Sequence, residues 1–261
     1  MAEIDIDVVE TLRDGFDRTV ARTGLMMVAV YGIVQLINIA VSNTMAQNAL
    51  QRMSGQMPGG FGPFGAPQAV SGITLPLPTP LLWLLTILLG LAGVALTLVA
   101  ARLFVSDETE TIPEEFYQRN MVSGFIHLLI GSIVAGIMIA IGFVLLIVPG
   151  LFLLVSFAFF QFYVAVEDES FVDALSDSWE LAGGHRLDIF LVMLGVFVVG
   201  IVVGIVGGIV GAVLPAVLGN VVTAGLNGFT TVFGIASVAQ IYRTLTGSVA
   251  TAPSGDAEDA A

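Results

Sequence analysis

Charged and apolar positions follow one another along this chain in long blocks. Between Thr23 and Gln51 no residue is charged, and 24–41 reads as one continuous apolar helix. Charges are again absent from Met53 to Ala101, but the first half of that run, "SGQMPGGFGPFGAPQAVSGITLPLPTP", is broken by Gly and Pro, so the span is predicted at 81–101. The uncharged run from Asn120 to Val166 would make a helix about 70 Å long. A hydrocarbon core about 30 Å thick divides it into two spans, 121–148 and 151–166, with the break at Pro149-Gly150. The run from Ile189 to Tyr242 likewise predicts spans at 188–213 and 217–242, divided near "LPAVLGN". The pattern is that of an all-α polytopic membrane protein, a six-helix membrane domain over 24–246.

The charged islands between these runs carry amphipathic patterns. In "VAVEDESFVDALSDSWELAGGHRLDIF", Ser170 and Asp173 fit a capping box, and Gly183-Gly184 supplies a helix stop. Over 170–182, Phe171, Leu175, Ser178, Trp179 and Ala182 share one face, while Glu169, Asp173, Asp177 and Glu180 share the other. This predicts an interfacial helix lying flat, with Phe171, Leu175 and Trp179 toward lipid. Residues 1–23 form a similar lead-in, with a stripe of Val9, Leu12, Phe16 and Val20. "TIPEEFYQRN" offers a third, with Thr111 as N-cap, Pro113 in the first turn and Glu114 in the capping-box position. Each odd-numbered span is thus entered from a short helix with Arg22, Arg119 or Arg186 near the boundary, which points to three related helix-plus-hairpin units.

Composition sharpens this picture. Only 11% of residues are charged, 56% are hydrophobic and mean hydropathy is +0.97, so lipid is the partner of most of the surface. The eight basic residues are all Arg, against 21 acidic residues, the balance expected of a halophilic, haloarchaeal protein in molar salt. A net charge of −13 excludes nucleic acid as a partner. Seven arginines, at 13, 18, 22, 102, 119, 186 and 243, fall on one side of the spans and only Arg52 on the other. The positive-inside rule therefore places both termini in the cytoplasm, at the cell membrane. The acidic beginning is unlike a signal peptide and is expected to be retained. The outer loop, 43–80, is expected to be flexible, and the tail, 247–261, disordered. There is no Cys, and Met45, Met53 and Met57 have no His or Cys near them in sequence to make a soft-metal site.

Catalytic signals are missing from the spans. Apart from Asp188 at the very start of the fifth, they hold no Asp, Glu, Arg or Lys, so a proton- or ion-coupled carrier has little to work with. "DGFDRTVAR" lacks the later pair of Asp residues that metal-dependent phosphotransfer between alcohols would need. The expectation is no enzyme, no cofactor, no metal and no catalytic residue. If a polar path exists, His127, Asn220 and Asn227 are its best candidates, although Gln161 and other amides are equally suited to bonding between helices. In the fifth span, Gly200, Gly204 and Gly208 form one row of small residues, and Gly207 with Gly211 another. Such rows let helix backbones approach closely, and Gly204→Leu is expected to lower thermal stability.

The stretch "IVPGLFLLVSFAFFQFYVAVEDESFVDALSDSWELAGGHRLDIFLVML" resembles the membrane domains of YciC-type proteins and the membrane portion of glycerophosphodiester phosphodiesterases. The matching positions are Pro149, Gly150, Glu167, Asp168, Ala174, Leu175, Ser178, Trp179, Gly183 and Gly184. The resemblance implies an integral membrane domain without assigned chemistry, and the chain has no room for a soluble catalytic barrel. The functional expectation is a structural, scaffolding or lipid-organising role, with the bilayer and a membrane or cytoplasmic protein as partners; the alternative is a transporter or channel for a neutral or lipid-like substrate.

Overall fold

The computed structural model describes residues 6–56 and 72–251, and within them the chain forms helices and no strand. Six stretches are long and apolar enough to cross a membrane: Arg22–Met53, Thr79–Val105, Met121–Leu145, Ile147–Val166, Arg186–Val213 and Ala216–Gly247. Their outward sides carry Ile133, Ile137, Ile141, Val198 and Ile205, each about half exposed, which only a lipid solvent tolerates across a whole bundle. The chain is an all-α, multi-pass membrane protein.

The first span belongs to α2 (Arg22–Gln56), entered from α1 (Val8–Val20). Asp7 caps α1, its carboxylate accepting from the N–H groups of Val9 at 2.8 Å and Glu10 at 3.0 Å. Helix α2 runs to Gln56, well beyond the predicted end at 41 and into the segment expected to be loop. Of that loop, 57–71 lies outside the described residues, while 72–78 folds back on α2: Leu75 N–H donates to Thr44 Oγ1 at 2.8 Å. The second span is α3 (Thr79–Val105), with proline in its first turn.

The third lead-in differs from expectation. Thr111 caps nothing; a single turn, α4 (Glu115–Gln118), follows Glu114. Helix α5 (Met121–Leu145) then makes the third span. The hairpin break falls at Leu146, and Pro149-Gly150 sits instead in the first turn of α6 (Ile147–Ser156), where a missing N–H costs nothing. The fourth span is itself broken: α6 ends at Ser156 and α7 (Phe160–Val166) begins after three non-helical residues. Helix α8 (Phe171–Leu181) follows, then α9 (Arg186–Val213) and α10 (Ala216–Thr251), the last continuing into the predicted tail; 252–261 lies outside the described residues.

Helix α10 is central, packing on α2, α9, α1 and α3. Its seam with α2 is a backbone contact: a Cβ on Gly228 would lie 2.8 Å from both Val28 O and Gly32 N. Helix α1 docks on the bundle the same way, with Gly15 against Ser237 of α10 and Leu12 against Gly195 of α9. The fully buried aromatic core lies toward the end of the bundle that carries the charges. There Tyr242 nests among Phe159, Phe162 and Tyr163, with ring centroids 6.1, 5.3 and 5.4 Å away.

The predicted Gly row of α9 needs correction. Gly204 and Gly208 face open space, and only Gly200 of that row meets a neighbour, Thr230. Gly207 faces Leu226 and Gly211 faces Gly219 and Thr223, all on α10. Gly228→Leu is therefore expected to lower the thermal midpoint in detergent strongly, since overpacking costs about 1–3 kcal/mol even where only side chains must yield. Gly204→Leu is expected to leave the midpoint unchanged, so a matched thermal-unfolding comparison of the two variants decides the assignment.

Candidate functional site

The polar chemistry converges at one end, where α2, α5 and α9 begin and α3, α7 and α10 finish. Every one of these termini exposes backbone groups that hydrocarbon cannot satisfy. Arg102, 6% exposed, answers for three of them. Its Nε donates to Ala165 O at 2.6 Å, and its Nη1 to Phe116 O at 3.0 Å and Arg119 O at 2.7 Å. Its Nη2 reaches Asp168 Oδ1 at 3.3 Å. The other carboxylate oxygen of Asp168 accepts from Arg119 Nε at 3.0 Å and Nη2 at 2.5 Å, so one carboxylate bridges two guanidinium groups. A planar fork of five donors suits this task, and a Lys ammonium would not reach both sides. Asp168 takes a left-handed backbone, φ 56°, to present its carboxylate here.

Two further arginines close the same end. Arg18 donates to Leu103 O and Ser106 O, and Arg243 pairs with Asp107. Burial, and after it the nearby Arg243, lowers the Arg18 guanidinium below its ordinary pKa.

Helix α8 is built on the broken fourth span. Ser170 caps it, accepting from Asp173 N–H, and Gly184 leaves it with φ 90°, the left-handed turn its sequence predicts. Its inner face is Ala174, Ser178 and Ala182, all fully buried. Ser178 Oγ accepts from Phe159 N–H at 3.1 Å and donates to Ser156 O at 2.9 Å. One hydroxyl thus satisfies a donor and an acceptor at the break between α6 and α7. Arg186 Nε donates to Ser156 Oγ at 3.2 Å, and its guanidinium lies 4.7 Å from the Phe152 ring centroid and 5.2 Å from that of Trp179. The inner face of α8 is therefore held by protein, and the expected flat lipid-facing collar is reduced to Val172 and part of Trp179.

The predicted site residues are distributed rather than gathered. Phe171 reaches Gly131 on α5 and stacks on His127 at 6.3 Å. Leu175 packs against the core, while Trp179 contacts Phe152 and Phe157. His127 Nδ1 is buried beneath α8 without a hydrogen-bond partner among the described residues. Asn220 lies at the opposite end; with its amide oriented to fit, Oδ1 accepts from Asn43 Nδ2 at 3.1 Å and from Ile73 N–H at 3.0 Å. Asn227 is exposed on α10, so His127, Asn220 and Asn227 do not form one path. Among the described residues no group of three His, Asp or Glu could hold a metal ion. Two features escaped sequence reasoning: the Arg102 clamp and the break at 157–159. The signals were an Arg closing an apolar run opposite an acidic pair, and a fourth span too short for the hydrocarbon core.

An acidic group flanks α8. Glu169 is pushed up to about 7 by burial first, then by the charge of Asp177 and a side-chain hydrogen bond with it, and after these by Glu167 and Asp173.

Residues 6–256 match the family described as Domain of unknown function (DUF7847), and the chain belongs to that family. Neither the curated proteins nor the solved structures contain a match.

Ser178→Ala is expected to cost about 1–3 kcal/mol, the effect of stranding buried polar groups, read as a lower unfolding midpoint in detergent. For Glu169 the folded state holds a proton that the unfolded chain has lost between its ordinary value of 4.5 and about 7, so this group's contribution to stability falls as pH rises through that window. Glu169→Gln is accordingly expected to raise the unfolding midpoint at pH 8, with the gain vanishing near pH 5; a gain independent of pH would contradict the assignment.

Proposed function

We propose that this chain is a non-catalytic membrane scaffold whose acidic end docks a protein partner. The observation that supports the reading is the use made of its polar groups. Arg102 and Ser178 are spent on backbone carbonyls and amides, and the carboxylate of Asp168 on two arginines, so none of the three stands free around a reactive centre. What the arrangement presents outward is carboxylate: Asp107, Glu114, Glu115, Asp173 and Glu180 are all exposed. Asp173 and Glu180 stand on α8, whose inner face is held against the fourth span, so their charges form a fixed pattern that a basic surface can recognise.

In this reading the charged end faces the cytoplasm of a halophilic cell, at the cell membrane, as the arginine distribution implies. The resemblance to YciC-type membrane domains fits the same reading, since it implies membrane architecture without assigned chemistry. The transport alternative is weakened by the separation of Asn220 from His127 and by the fixing of Asn220 to the 72–78 segment.

The test is chemical cross-linking in intact cells, followed by mass spectrometry of the tagged protein and of the variant Asp173→Asn/Glu180→Gln. The expected result is a stoichiometric protein partner that the variant loses while keeping its expression and unfolding midpoint. Equal recovery from both, or no protein cross-link at all, would overturn the reading.

A further inference from the structure

Beside the fourth span an open crevice runs along α9 into the bundle. Its outer part, about 790 Å3, is walled by Leu151, Leu154, Phe190, Leu194, Phe197 and Ile201. Its inner part, about 320 Å3, shares Met193, Val196 and Thr230 with the first and adds Gln161 and Thr231. The volume of the outer part lies within the roughly 300–1,000 Å3 of small-molecule sites. Gly200 widens the passage, since a Cβ there would meet Thr230 Cγ2 at 3.3 Å.

Three features of the crevice are not explained by packing. First, the apolar trough from Phe190 to Ile201 is about 16 Å long at the helical rise, which is the depth of one leaflet of a hydrocarbon core about 30 Å thick. Second, Gln161 points a side-chain amide into the inner part without a hydrogen-bond partner among the described residues, whereas Thr230 and Thr231 bond their own helix. An unbonded amide at this depth is costly in hydrocarbon. Gln161 lies five residues before Val166, the last residue of the fourth span, on the short helix next to its charged end. Third, Arg186 precedes the crevice residue Phe190 by one helical turn on α9; its Nε donates to Ser156 Oγ and its Nη2 to Trp179 O, while its Nη1 has no partner and no carboxylate stands within ion-pair distance of it among the described residues. In a chain of net charge −13 an uncompensated guanidinium at the membrane surface is complementary to an anionic headgroup.

We propose that this crevice is a binding site for one anionic phospholipid, with its phosphate at Arg186, its linkage oxygens on the Gln161 amide and one chain along the trough. Trp179, part-exposed beside Arg186, occupies the headgroup level where its ring is favoured. The occupant is a lipid of the surrounding leaflet, because the outer part of the crevice opens toward the exposed apolar faces of Leu194 and Phe197.

The experiment uses the full chain, delipidated in detergent and titrated with phosphatidylglycerol or with diacylglycerol of the same chains, bound lipid being counted by native mass spectrometry. The expected result is one tightly held phosphatidylglycerol and weaker retention of diacylglycerol. Gln161→Leu is expected to weaken phosphatidylglycerol about tenfold, as the loss of one anchoring hydrogen bond does. Leu194→Trp, which fills a part-exposed stretch of the trough, is expected to abolish tight binding. The proposal is overturned if no lipid is held above the broad background of detergent-like adducts, if both lipids bind equally, or if Gln161→Leu binds phosphatidylglycerol as the native chain does. Should Leu194→Trp fail to fold, Gln161→Leu alone carries the decision.

Discussion

Hydrocarbon supplies no hydrogen bonds, and the architecture of this chain follows from that one constraint. An unbroken helix meets it internally, as α3, α5 and α9 do over most of their length. The fourth span does not, because its helix stops at Ser156 and resumes at Phe160. Ser178 restores the balance from α8, and Arg186 anchors the same junction from α9. What reads in sequence as a surface helix is thereby part of the membrane fold.

The charged end obeys the same rule on a larger scale. Helix termini gathered there leave carbonyl groups that must be met, and arginine meets them with several directed donors each. Arg102 alone joins the end of the second span, the start of the third and the end of the fourth. Asp168 pairs with it through one carboxylate oxygen and with Arg119 through the other, tying the two guanidinium groups together. The consequence for function is that these titratable groups are committed to structure, while the exposed acidic surface and the lateral crevice are left for other molecules.

Sequence reasoning reached the number of spans and the Ser170 cap because both rest on local patterns: long uncharged runs, and capping chemistry within one turn. It missed the continuation of α2 to Gln56, since that segment's polar residues resemble loop, whereas Asn43, Thr44 and Arg52 bond across to the 73–79 segment. Thr111 satisfies a local capping rule, but the chain there spends its length joining α3 to α5 and leaves only one turn of helix. The break at 157–159 carries neither Gly nor Pro, so nothing local announces it, and the groups it frees are met by the distant Ser178. The Gly row of α9 was legible as a pattern yet ambiguous in direction, and the seam that brings two backbones together lies at Gly32 and Gly228 instead. At the candidate site, residue types were legible and partners were not, because the partners of Arg102 lie 14 to 66 residues away along the chain.

The most direct test of the central claim is hydrogen–deuterium exchange on the protein in a lipid nanodisc, followed peptide by peptide. If α8 closes the broken fourth span, the amides of 157–162 and of α8 exchange as slowly as those at the centre of α10, despite the interruption in the helix. Rapid exchange at 157–162, with α8 exchanging like an unattached surface helix, would contradict it.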